Sequence, residues 1–210
     1  MTDRDRRHFL LRRLHSLSGI VPIGAYLLLH IFVENAFILG SAEQWDAMAA
    51  WIGSLPLPLL LAAEVLVLWG PILFHGLYGV VIAYTGDATN TGLRYEYRGS
   101  YLYVLQRITG VLALLFIGFH VYTTRLSHYF WGIEINYALM HGFMTDPLYF
   151  VAYLIGVTSA VFHFTNGIWT FCITWGITVG PQAQRLAQQL SLGLFAVMWP
   201  TSMAILWAFR

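Results

Sequence analysis

Five apolar runs, at residues 17–40, 57–84, 101–126, 147–177 and 190–209, constrain this chain more than anything else in it. Each reaches or exceeds the roughly 20 residues a helix needs to cross a hydrocarbon core. No water reaches a backbone there, so a spanning segment must satisfy its own hydrogen bonds, as a helix does. The expected fold is therefore all-α: a polytopic membrane protein of five transmembrane helices in a lipid bilayer, with residues 1–210 forming one integral-membrane domain. A content of 58% hydrophobic and 10% charged residues agrees, lying far outside the range of water-soluble domains. The runs leave little chain for a soluble domain. Chemistry on water-soluble substrates must then belong to partner subunits or to the membrane edge, and nothing suggests binding to nucleic acid.

The basic residues are all arginine, and they are unevenly distributed. Arg4, Arg6, Arg7, Arg12 and Arg13 precede the first run, Arg94, Arg98 and Arg107 surround the second connection, and Arg185 lies in the fourth. The first and third connections hold Arg125 beside Glu43, Asp46, Glu134 and Asp146. The positive-inside rule puts the N-terminus in the cytoplasm and the C-terminus outside. The first run is too long for a signal peptide, has no convincing cleavage site, and is expected to be retained.

Boundary signals are ordinary. Pro56 and Pro58 open the second helix, and Gly86-Asp87 with Asn90-Thr91-Gly92 follow it. Asp146 before Pro147 reads as an N-cap with proline at the first helical position. Gly180-Pro181 is expected to stop the fourth helix, with residues 182–189 making the bend toward the fifth.

Each of the first four runs carries one histidine well inside it: His30, His75, His120 and His163. An ionisable residue within a membrane span is a functional candidate, and imidazole is a common ligand of haem iron. Helix rise sorts the four by depth. His30 and His120 fall in the middle to outer half of their helices, whereas His75 and His163 sit toward the cytoplasmic side. The expected arrangement is a four-helix bundle holding two haems, with pairs His30 and His120, and His75 and His163. Cys172 is the one cysteine, and no Cys-x-x-Cys-His segment exists, so the haems would be b-type. Two imidazoles per iron leave no open position, which suits electron transfer. Phe74-His75 and Phe162-His163 are each followed by a glycine four residues after the histidine, Gly79 and Gly167, expected to leave room for a flat macrocycle. Packing or proton-relay histidines in a cofactor-free transporter or anchor are the competing reading.

Several segments resemble a known family: Arg12-Arg13-Leu14-His15-Ser16-Leu17 with Gly19 and His30, Phe74 to Gly79, Arg107-Ile108-Thr109-Gly110 leading to His120, and Phe162 to Trp169 running on to Thr178. Together they are similar to the cytochrome b membrane anchor of bacterial succinate:quinone oxidoreductases, in the single-subunit, five-helix, di-haem form. The resemblance implies a complex with a flavoprotein subunit and an iron–sulfur subunit in the bacterial cytoplasmic (inner) membrane. It also implies two haem b groups, with His75 and His163 proximal to the iron–sulfur subunit and His30 and His120 distal. Menaquinone or another quinone is the implied substrate of the anchor. A di-haem cytochrome b of a hydrogenase or formate dehydrogenase is the alternative.

Haem propionates need hydrogen-bonding or cationic partners. Ser16 and Arg107 are the expected cofactor-binding residues, with His15 and Arg13 at the same level. Quinone chemistry needs a proton-exchanging group, and two carboxylates lie within the spans. Glu64 is the first candidate, Glu34 the second, and Asp46 in the outer connection a third. The competing readings are a solvated helix end for Glu34 and a neutral, hydrogen-bonded carboxyl for Glu64. No carboxylate neighbours His163, so the proton route through such an acid used by some family members is not expected here.

Overall fold

A computed structural model describes residues 3–85 and 98–210. The turn signals Gly86-Asp87 and Asn90-Thr91-Gly92, and with them Arg94, lie outside the described residues. Among the described residues, five helices are long and apolar enough to cross a membrane: α1 (Asp5–Leu39), α3 (Leu57–Thr85), α4 (Gly99–Trp131), α6 (Pro147–Thr174) and α7 (Pro181–Ala208). Two shorter helices, α2 (Ala42–Gly53) and α5 (Tyr137–Thr145), lie in the connections at the end of the bundle away from the N-terminus. That end is called the far end below, and the one carrying the N-terminus the near end.

Local chemistry sets most boundaries. Asp146 Oδ1 accepts from the amides of Leu148 and Tyr149 at 2.8 and 3.1 Å, with Pro147 at the first helical position of α6. Asn136 Oδ1 accepts from Leu139 N to start α5, and Ser41 Oγ from Gln44 N to start α2. Gly132 and Gly176, at φ 66° and 67°, take the left-handed conformation where α4 and α6 end. α6 thus stops before Gly180, and Pro181 begins α7. Residues 182–189 correct the expectation of a bend: they are the first turns of α7, because proline suits a helix start and glutamine, alanine and arginine then propagate it.

The long helices are not uniform. π-helical turns occupy Gly19–Gly24, His30–Glu34, Glu64–Trp69 and Tyr122–Leu126. The first contains Pro22 and the third precedes Pro71, where a missing amide already interrupts the regular ladder. The other two begin at or just after His30 and His120.

α6 lies centrally, packed against α4 on one side and α7 on the other, with α1 crossing it. It has eight buried residues, among them Tyr153, Val161, Thr165 and Asn166. The apolar core gathers toward the far end, where Ile31, Ile38, Trp45, Met144, Phe150, Met198 and Phe209 meet. α3 packs against α1 and α4 yet has no buried residue, as expected of a helix with a broad lipid-facing surface.

Candidate functional site

The bundle brings the four span histidines together as two facing pairs. The His75 and His163 rings have centroids 6.1 Å apart with planes at 82°, and the His30 and His120 rings 5.9 Å apart at 67°. Helix rise gives the spacing between the pairs. Gly19 touches His75 while His30 lies eleven residues on, and Gly110 touches His163 while His120 lies ten residues on. Both counts put the pairs about 15 Å apart along the bundle.

Each ring is held through Nδ1. His75 Nδ1–H donates to the His15 carbonyl at 2.8 Å, and His163 Nδ1–H donates to the Gln106 carbonyl at 2.9 Å. A carbonyl only accepts, so in both rings the proton is on Nδ1 and the lone pair on Nε2. His120 Nδ1 lies 3.1 Å from the Tyr153 hydroxyl, and His30 Nδ1 2.6 Å from Glu34 Oε2. This is the supporting shell of metal-binding imidazoles, where a partner on one nitrogen orients the other.

Spacing tests what could sit between the rings. A metal–imidazole bond of about 2.0–2.1 Å, plus about 1.1 Å from nitrogen to ring centre, puts the centroids of two trans ligands about 6.3 Å apart. The observed 5.9 and 6.1 Å are close to that separation. Among the described residues no three or more His, Cys, Asp or Glu side chains converge. Two imidazoles at this separation, with no further side-chain ligand beside them, suit an ion whose other positions a macrocycle fills, so the residues fit a haem.

The near pair has a further set of polar atoms around it. His15 stacks on His75 at 4.0 Å and 11°. His15 Nδ1, Arg107 Nε, Trp169 Nε1, Trp175 Nε1 and Thr178 Oγ1 are buried without a hydrogen-bond partner among the described residues. All five belong to the near halves of α1, α4 and α6 or to the segment after α6, and stranded polar groups of this kind are costly unless something polar reaches them. Arg107 also lies over the Tyr103 ring at 3.4 Å, and Arg13 over Trp175 at 4.7 Å. Ser16 is half-buried with no hydrogen bond among the described residues. Its neighbour Ser18 is buried, donating to the His15 carbonyl at 2.9 Å and standing 3.5 Å from His75 Nδ1.

Gly79 does not leave the open face expected of it, whereas Gly167 has room for a Cβ in ordinary contact. A Cβ at Gly79 would meet His15, and one at Gly167 would meet Gln106. The close approaches to the paired rings fall at Gly19 and Gly110, where a Cβ would stand 2.4 Å from His75 Cε1 and 2.7 Å from His163 Cε1.

At the far end Glu64 is ion-paired. Arg125 Nε and Nη2 each lie 2.6 Å from its Oε1, and the Tyr129 hydroxyl donates to Oε2 at 3.0 Å. Glu34 is bonded to His30, which goes against a merely solvated helix end. Asp46 Oδ1 accepts from Tyr137 N, the first residue of α5, at 2.6 Å.

Sequence reasoning missed Ser18, Tyr26, Gln106, Tyr153 and Asn166. Gln106 does most among these: its Nε2 donates to the His163 carbonyl at 3.0 Å and its Oε1 accepts from Asn166 Nδ2 at 2.6 Å, locking α4 to α6 beside the ligand ring. Tyr26 had a visible signal, since Tyr26, His30 and Glu34 follow at intervals of four.

Five spans around two facing imidazole pairs define the class, a polytopic α-helical membrane protein with both pairs set between its helices. The model of the succinate dehydrogenase/fumarate reductase transmembrane subunit family matches residues 92–202. The succinate dehydrogenase cytochrome b558 subunit of Bacillus subtilis (strain 168) is 38% identical over 203 residues, 97% of this chain and 98% of that protein. The chain belongs to this family of succinate dehydrogenase membrane anchors. It is a cytochrome b subunit of an oxidoreductase complex with other subunits, and the hydrogenase or formate dehydrogenase alternative is not favoured.

Proposed function

We propose that this anchor carries electrons between an iron–sulfur subunit and a membrane quinone through two haems b, with His75 and His163 as ligands near one end and His30 and His120 toward the other. The observation that carries the reading is the pair of facing imidazoles at each depth, every ring held through Nδ1. Each haem, when bound, supplies one-electron exchange at its iron. The chain supplies the rest. Carbonyls of His15 and Gln106 hold the Nδ1 protons of the near rings and so keep Nε2 basic and free to bind. Arg107, His15, Trp169, Trp175 and Thr178 offer buried polar atoms suited to propionates, with Arg107 the charged member. Ser16 stands beside them, though Ser18 takes the hydrogen bonds at that level.

The quinone site is at the far end. Arg125 and Tyr129 are donors suited to quinone oxygens, and Glu64 is the proton-exchanging group between them. Glu34 serves His30 rather than the quinone. The flavoprotein and iron–sulfur partners dock at the near end, which faces the cytoplasm of a bacterial inner membrane; the arginine distribution supports this orientation.

The test is haem content in the purified complex. Wild type should hold two haems b per anchor, and His163→Ala one, with the remaining haem keeping its midpoint potential. Two haems in His163→Ala would refute the ligand assignment.

A further inference from the structure

Three of the four span imidazoles bond neutral partners, the carbonyls of His15 and Gln106 and the hydroxyl of Tyr153. His30 alone bonds an acidic side chain. Glu34 Oε2 lies 2.6 Å from its Nδ1, the shortest of the four contacts. The geometry is built in. His30 and Glu34 bound the π-helical turn that spans the two residues, so their side chains meet along one face. The turn is tied down by Asn35, whose Nδ2 donates to the His30 carbonyl at 2.8 Å and whose Oδ1 accepts from Trp45 Nε1 at 3.2 Å. Tyr26 OH, one turn before His30, donates to the same Glu34 oxygen at 3.3 Å and stands 3.4 Å from His30 Nδ1. The far-end guanidinium of Arg125 is engaged by Glu64, and among the described residues no arginine pairs with Glu34.

We infer that Glu34 is a positioning residue that lowers the reduction potential of the far haem by making His30 the strongest donor of the four ligands. This rests on the reading above that His30 and His120 ligate one haem. An N–H bonded to a carboxylate leaves more electron density on the opposite nitrogen than one bonded to a carbonyl or hydroxyl. A stronger donor, with a negative charge behind it, favours the oxidised iron and so lowers the potential. The two sites are thereby made unequal by the protein. An electron at the far site is held less tightly than it would be by a pair of neutral-bonded imidazoles, and is released more readily to the quinone. This residue acts through His30 and needs no contact with the quinone.

The experiment is an equilibrium redox titration of the intact complex, followed in the optical band of the haems. Glu34→Gln keeps the size of the side chain and removes its charge. It should raise one midpoint by at least tenfold in the equilibrium constant, about 59 mV for one electron, and leave the other in place. Tyr153→Phe, which removes a neutral partner from the other ligand of the same haem, should move that midpoint less. Unmoved midpoints in Glu34→Gln, or equal movement of both, would overturn the inference. Should Glu34→Gln hold only one haem, Tyr26→Phe decides. Freed of the Tyr26 hydroxyl, the carboxylate bonds His30 more strongly, so the same midpoint must fall, and an unchanged or raised midpoint defeats the idea. A wild-type complex with fewer than two haems would instead refute the ligand reading on which the inference rests.

Discussion

At Gly110 a single methyl group would stand 2.7 Å from Cε1 of His163, and at Gly19 one would stand 2.4 Å from Cε1 of His75. Neither ring can yield without breaking the Nδ1 bond that aims it. Gly110→Ala should therefore cost the complex its near haem while the far haem keeps its spectrum. Gly118→Ala, on the same helix with nothing within 4 Å of the added carbon, should retain both. Equal haem content in the two variants would rule out the steric argument. At the other end, Glu64→Gln should abolish quinone turnover with both haem spectra intact, and unchanged turnover sinks the proton role. Arg125→Ala strands the Glu64 charge in a site where its side chain is only 12% exposed. Leaving a buried ion without its partner costs about 3–5 kcal/mol, so this variant should lower thermal stability, as should Glu64→Gln, which leaves the Arg125 guanidinium, its side chain 18% exposed, unpaired in turn. Which imidazoles face each other was legible from helix rise, because depth depends only on residue number. Their Nδ1 partners were legible only in part. Two are main-chain carbonyls, which leave no trace in residue type, whereas Glu34 stands one turn from His30 and could have been read as its partner.

At the scale of elements, caps and prolines wrote the boundaries that could be read, and interruptions within helices went unread. Asp146 and Pro147 show both the signal and its geometry, and Asp146→Ala should cost about 1 kcal/mol, seen as a lower melting temperature of the complex with unchanged haem spectra. A larger fall, or loss of a haem, would mean that Asp146 does more than cap α6. Counting apolar residues finds spans and overlooks α2 and α5, which are too short to cross a membrane. It also mistook the polar start of α7 for a bend, because propensity rather than hydropathy decides whether residues 182–189 are helical. The π-helical turns carry the least signature of all. Pro22 and Pro71 hint at two, yet nothing in residue type marks Tyr122–Leu126, whose turn presents Arg125 to Glu64 across the gap to α3.

For the whole molecule, the proposed electron path also has a direction. The proposed orientation, with the near pair on the cytoplasmic side, predicts that a reporter fused to the N-terminus is active only inside the cell and one fused to the C-terminus only outside. The reverse pattern would exchange the sides assigned to the two pairs. The bundle itself was readable because five runs of such length have one use in a bilayer. Its packing was not, since lipid surrounds apolar side chains as well as a neighbouring helix does.

That last point bears on α3, which has no buried residue. Among the described residues, its polar contacts with other helices fall at two heights, His75 against His15 and Ser18 near one end, and Glu64 against Arg125 and Tyr129 near the other. The helix is thus latched at two heights as well as packed against α1 and α4. Each latch is also a chemical group of the proposed electron path, so a substitution that silences either site also loosens a wall of the bundle. Evolution can retune such residues only within the narrow range that keeps the wall shut against lipid.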